Sequence, residues 1–173
     1  GGESWRVILS GDAAPAWVIG QIVHAALRRW MFPDCPDFDA RLRPIALEAG
    51  LYQEAAIRAA LREARRLLER FRAHPVFAEL DSAERHHEVP YAIGGDVGIV
   101  DVLFRKQGRW TVADFKTDEL RDEAEMWRAI RAEGYDRQLR RYAEAVTAQF
   151  GQRPRSILVF LNVAGEVRVS DGG

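Results

Sequence analysis

Two carboxylates and a lysine are the residues best placed to do chemistry in this chain. Asp101 closes the run Gly98-Ile99-Val100-Asp101, and Asp114 and Lys116 sit inside Ala113-Asp114-Phe115-Lys116-Thr117. Both runs are otherwise apolar and read as β-strands. Strands favour β-branched and aromatic residues, so acids and lysines within them need a reason to be there. One reason is a divalent-metal site, with the lysine beside it to stabilise an anion. The other is a plain strand end in solvent. Only two of the 25 basic residues are lysines, Lys106 and Lys116, so Lys116 is not drawn from a lysine-rich surface.

Spacing sharpens the first reason. Residues i and i+2 of a strand share a face, which puts Asp114, Lys116 and Val112 together and Ala113 and Phe115 opposite. A hairpin turning near Gln107-Gly108 pairs residues whose numbers sum to about 215, which sets Asp101 across from Asp114. Directly opposed Cβ atoms lie about 4.5–5.5 Å apart. Two carboxylates so close repel unless a cation sits between them, and oxygen ligands with water suit a hard ion such as Mg²⁺ or Mn²⁺.

Other elements must position this pair. Pro15 begins a helix that carries Val18, Ile22, Ala25, Ala26 and Trp30 on one stripe and ends before Pro33. Met31 to Arg43, rich in proline and aspartate, reads as loop. A long helix runs from about Leu51 to Arg72, and Pro75 to Leu80 is a short helical turn. Three strands follow, Glu88–Ile93, Val97–Phe104 and Trp110–Phe115, the last two joined at Lys106-Gln107-Gly108-Arg109. Glu123 to Phe150 is helical in two pieces broken near Gly134. Ser156–Asn162 and Val167–Ser170 are strands. The third strand, the late helix and the next strand form a β-α-β crossover, which makes those two strands parallel. The expected product is an α/β domain with a central mixed sheet of about five strands and helices on both faces.

The bulk numbers narrow the class. At 173 residues, 47% hydrophobic and 29% charged, the chain suits a single globular domain. A net charge of −1 excludes a uniformly basic nucleic-acid binder. The single cysteine, Cys35, excludes a disulfide framework and a four-cysteine iron–sulfur cluster. There is no apolar run of membrane-spanning length and no visible signal peptide. A cytoplasmic location is therefore expected. The terminal Gly1-Gly2 and Asp171-Gly172-Gly173 suggest a domain taken from a larger protein.

Taken together, the motifs resemble the PD-(D/E)XK nuclease superfamily, in the RecB-like branch that includes AddA-type helicase–nucleases. Gly20-Gln21-Ile22-Val23-His24 resembles that family's G-x-x-x-H, and Gly98 to Asp101 its G-x-x-D. Asp114-Phe115-Lys116-Thr117 resembles its D-[YF]-K-T, and Tyr135 to Tyr142 its Y-x-x-Q-L-x-x-Y. The resemblance implies a restriction-endonuclease-like core in α-βββ-α-β order, with residues 1–173 forming one RecB-like nuclease domain. It implies that His24, Asp101, Asp114 and the Phe115 backbone carbonyl bind Mg²⁺ or Mn²⁺. Lys116 would be the catalytic lysine, and Gln138 and Tyr142 would line the site. Tyr135 falls on the same helix face, one turn before Gln138.

The implied activity is metal-dependent hydrolysis of DNA phosphodiesters by the exonuclease arm of a helicase–nuclease, in DNA end processing and recombinational repair. The partners would be DNA and a helicase motor in the same parent chain or another subunit, since the chain has no G-x-x-x-x-G-K-[ST] loop. The alternative is a catalytically inactive nuclease-like domain that binds DNA or acts as a scaffold. Glu88 stands between a site role and an ordinary strand surface. Arg28, Arg29, Arg137, Arg140 and Arg141 could bind phosphates or be solvated helix faces.

Overall fold

The computed structural model describes residues 14–171; Gly1-Gly2 and Gly172-Gly173 lie outside the described residues. The chain forms two compact units, Gly1–Leu68 and Glu69–Gly173, whose boundary falls inside one helix. Among the described residues there are six helices and five strands. None of these helices is long and apolar enough to cross a membrane.

The first unit is helical. α1 (Ala16–Arg29) buries Val18, Gly20, Ile22, Val23, Ala25, Ala26 and Leu27, the helical stripe expected from the sequence. Trp30 ends it in the left-handed region, at φ 50°. α2 (Phe38–Glu48) corrects the loop expected over Met31 to Arg43: the chain is helical from Phe38 onward. The apolar residues Phe38, Leu42 and Ala46 recur every four positions and are all buried. That burial outweighs Pro44, which sits within the helix and removes one backbone N–H donor. Arg65 bonds Asp39 at 2.8 Å and lies over the Phe38 ring, 4.8 Å from its centroid, which fixes the middle of α3 against the start of α2.

The second unit begins within α3 (Glu54–Ala73). It continues through α4 (Pro75–Asp81) into three antiparallel strands, β1 (Glu84–Ile93), β2 (Asp96–Lys106) and β3 (Arg109–Lys116). α5 (Glu123–Glu133) and α6 (Tyr135–Phe150) then cross over to β4 (Arg155–Val163), which pairs with β3 in parallel, and β5 (Glu166–Asp171) closes the far edge. The result is a mixed five-stranded sheet in the order β1-β2-β3-β4-β5, the expected α/β architecture. Asp122 caps α5 by accepting from the Glu125 N–H at 2.8 Å, and Gly134 (φ 69°) separates α5 from α6.

One face of the sheet packs on α5 and α6 through Leu103, Val112, Leu158, Phe160, Met126, Ile130, Leu139 and Tyr142. The other face carries Phe115, whose ring meets Phe71 of α3 edge-on at 5.3 Å. The β2–β3 turn places Gln107 (φ 52°) and Gly108 (φ 77°) in the left-handed region, the two-residue geometry that matches strand twist. It sets the ladder Val102↔Ala113, Leu103↔Val112, Phe104↔Thr111, in which paired numbers sum to 215 as expected. β1 starts four residues earlier than its apolar pattern indicates, because polar Glu84 to His87 pair with Val102 to Arg105 of β2.

Candidate active site

The centre lies where β2 parts from β3. The last β2–β3 ladder pair is Val102↔Ala113, and continuing that register places Asp101 beside Asp114. The Asp101 carboxylate takes over the next ladder position: Oδ2 accepts the Phe115 backbone N–H at 2.9 Å. The pleat changes phase at this point. Val100 and Leu103 both enter the core against α6, although an unbroken strand would turn residues three apart to opposite faces. On the far side of β2 the register places Glu88 across from Asp101, and Glu88 is exposed with φ +49°.

Asp114 is buried, 6% exposed, and its Oδ2 lies 2.9 Å from Lys116 Nζ. Burial pushes Asp101 from 3.8 up to about 9, helped by its hydrogen bond with Asp114 and by that residue's charge; the Phe115 N–H and Lys116 act the other way. Asp101 therefore holds its proton more tightly than a free carboxyl does, beside Asp114. This is the behaviour of two carboxylates forced together where a cation would relieve them.

Lys116 is held from a second side. Its Nζ sits 3.9 Å from the centroid of the Tyr135 ring, at the start of α6, and the Tyr135 hydroxyl donates to Asp118 Oδ2 at 3.3 Å. Burial first, and Asp118 second, push the Tyr135 hydroxyl up to about 12, so it remains a neutral donor. One turn further along α6, Gln138 hydrogen-bonds the Tyr142 hydroxyl. That hydroxyl donates to the Ile99 carbonyl at 3.0 Å. Burial and the Asp114 charge raise the Tyr142 pKa. Tyr91 packs edge-on against Tyr142 at 4.6 Å and lies over Gly98, where an added Cβ would come within 2.5 Å of the Tyr91 ring. Gly98 is thus required by the close approach of this ring.

The second unit therefore brings together Asp101, Asp114, Lys116, Gln138 and Tyr142. Phe115 contributes its N–H to Asp101 and turns its ring to the other face. His24 lies half-buried on α1 of the first unit, with Gly20 buried one turn before it. Tyr135 had a sequence signal in its helical spacing to Gln138, but its place over Lys116 depends on where α6 crosses the sheet. Among the arginines considered for phosphate binding, Arg29 donates to the Arg41 carbonyl at 3.1 Å, Arg140 pairs with Asp136, and Arg141 with Asp96 and Glu144. A cleft of about 580 Å³ lies towards the opposite end of β3, lined by Glu79, Lys106, Arg109 and Arg155.

The chemistry of the donors fits a hard divalent cation: two adjacent carboxylates, the Asp101 pKa raised chiefly by burial, beside a lysine. Among the described residues, however, no group of three or more His, Cys, Asp or Glu side chains is gathered to hold a metal ion.

The sheet order, the crossover and the D-x-K strand beside a second aspartate define a nuclease fold. The chain belongs to the PD-(D/E)XK nuclease superfamily, whose family model matches residues 4–170. A solved structure from Eubacterium rectale, described as a "Putative exonuclease", shares the fold at 15% identity and a TM-score of 0.59, over 96% of this chain and 60% of that one. The chain thus spans less than two thirds of that structure's chain. Two further structures, SSO0001 and VC1899 from Vibrio cholerae, are each 15% identical with TM-scores of 0.38 and 0.34. They match 95% and 85% of this chain, and 69% and 41% of their own. No curated protein sequence matches the chain.

Proposed function

We propose that the chain is a Mg²⁺- or Mn²⁺-dependent deoxyribonuclease of the RecB-like branch, the exonuclease domain of a larger helicase–nuclease that processes DNA ends in recombinational repair. The observation that carries this reading is the Asp101–Asp114 pair with Lys116 2.9 Å from Asp114. In this reading Asp101, Asp114 and the Phe115 carbonyl hold the metal, and His24 enters through its motif alone. The bound metal supplies Lewis acidity and a water of lowered pKa. Lys116 faces the negative charge that grows on the phosphoryl oxygens as the 3′ oxygen leaves. In this reading Gln138 lines the site, exposed on α6, and buried Tyr142 supports it from the core. DNA and a helicase motor are the partners, and the compartment is the cytoplasm.

The test is cleavage of end-labelled linear DNA with Mg²⁺ or Mn²⁺, comparing the wild type with Lys116→Ala and Asp114→Asn. Metal-dependent cleavage lost in both variants supports the reading. No cleavage by the wild type, or equal cleavage by all three, overturns it. A second reading, an inactive nuclease-like DNA-binding or scaffolding domain, is favoured by one observation: no third metal-binding side chain is gathered beside the two aspartates among the described residues. DNA binding without cleavage under every metal would establish it.

A further inference from the structure

The contact between Lys116 and Tyr135 has a geometry suited to more than packing. The ammonium lies between two different holds. On one side is the Asp114 carboxylate, 2.9 Å from Nζ. On the other is the face of the Tyr135 ring, whose centroid is 3.9 Å away. A cation over an aromatic face is attracted by the ring quadrupole, and the attraction grows when the site is desolvated. Lys116 meets that condition, with its side chain 15% exposed. The ring is fixed in turn. Tyr135 is the first residue of α6, directly after the left-handed Gly134, and its hydroxyl is tied to Asp118. It also touches Phe160 of β4, with ring centroids 6.5 Å apart.

The two holds respond differently to the occupancy of the centre. A cation that engages the Asp114 oxygens competes with Lys116 for them. The Tyr135 face does not change partner. We propose that Tyr135 is a positioning residue that keeps the Lys116 ammonium aimed into the centre when Asp114 is otherwise engaged. Its part in catalysis rests on the nuclease reading above; the clamp itself does not. The ring does this rather than the hydroxyl, which only anchors it. A phenylalanine should therefore keep the function, and a flexible aliphatic chain should lose it.

The two-lysine composition permits a direct readout without cleavage. The full chain is treated with a limiting acylating reagent, and Lys116 modification is measured by mass spectrometry with Lys106 as internal reference. Tyr135→Leu and Tyr135→Met should each raise Lys116 labelling relative to Lys106 by about tenfold. Tyr135→Phe should stay close to the wild type. In cleavage assays Leu and Met should lower kcat with KM little changed, and Phe should rescue it. Circular dichroism checks folding, and either aliphatic variant suffices if the other fails to fold. Unchanged labelling in a folded aliphatic variant, or a Phe variant as labile as Leu, overturns the clamp whether or not the chain cleaves DNA. Raised labelling in a protein that cleaves nothing upholds the clamp and counts against the nuclease reading alone.

Discussion

The Phe115 backbone N–H donates to Asp101 Oδ2 at 2.9 Å, so a side chain of β2 fills a ladder position that a backbone carbonyl would otherwise hold. The carboxylate is anchored by the strand it faces. It is thereby kept against Asp114 rather than free to turn into solvent.

The burial of this carboxylate has a pH signature. Asp101 is pushed from 3.8 up to about 9 in the folded protein, chiefly by burial. Between those values the unfolded chain has released the proton and the folded chain retains it, so metal-free stability falls as pH rises through that window. Asp101→Asn keeps an acceptor for Phe115 and removes the titration. With EDTA present, its Tm should exceed that of the wild type by a few degrees, about 2–8 °C, at pH 8.5, and by less at pH 5. Equal pH slopes in thermal melts of the two proteins would count against a raised Asp101 pKa.

Divalent metal should reverse that slope. Mg²⁺ or Mn²⁺ displaces the Asp101 proton, so binding should release protons near neutral pH and raise Tm more at pH 8 than at pH 5. Calorimetry in buffers of different ionisation enthalpy counts the protons. Asp114→Asn should remove most of the Tm rise.

Lys116→Ala should slow Mg²⁺-dependent cleavage by roughly two to three orders of magnitude, as for loss of one donor aimed at transition-state charge. Lys116→Arg should recover only part of this, because a planar guanidinium cannot occupy the place of a compact ammonium. Single-turnover rates on labelled DNA distinguish these variants, and wild-type rates in both would remove Lys116 from the chemistry.

Gly98→Ala tests the aromatic support. An added Cβ would come within 2.5 Å of the Tyr91 ring, which packs on Tyr142. The ring must shift, at a cost of about 1–3 kcal/mol. Combining the change with Tyr91→Ala should recover much of that cost, because the clash is then gone. Urea unfolding of the four proteins in the cycle measures the coupling; strict additivity would show that the clash is relieved elsewhere.

How much of the fold and site was legible in the sequence depended on how local each feature is. The Lys106-to-Arg109 turn sets one register, and that register alone brings Asp101 beside Asp114, because antiparallel pairing is arithmetic once the turn is known. The crossover to β4 and the helix break at Gly134 follow from equally short-range rules. α2 was hidden because Pro44 and the aspartates outweigh, in local propensity, a burial that only packing supplies. The first half of β1 is polar and becomes strand only by pairing with β2. The phase change at Asp101, the Tyr142 hydroxyl on Ile99 and the Tyr135 ring over Lys116 were decided by tertiary structure alone. Sequence spacing specifies which residues share a helix face. Where that face lands on the sheet is settled by how α5 and α6 pack their apolar stripe into it.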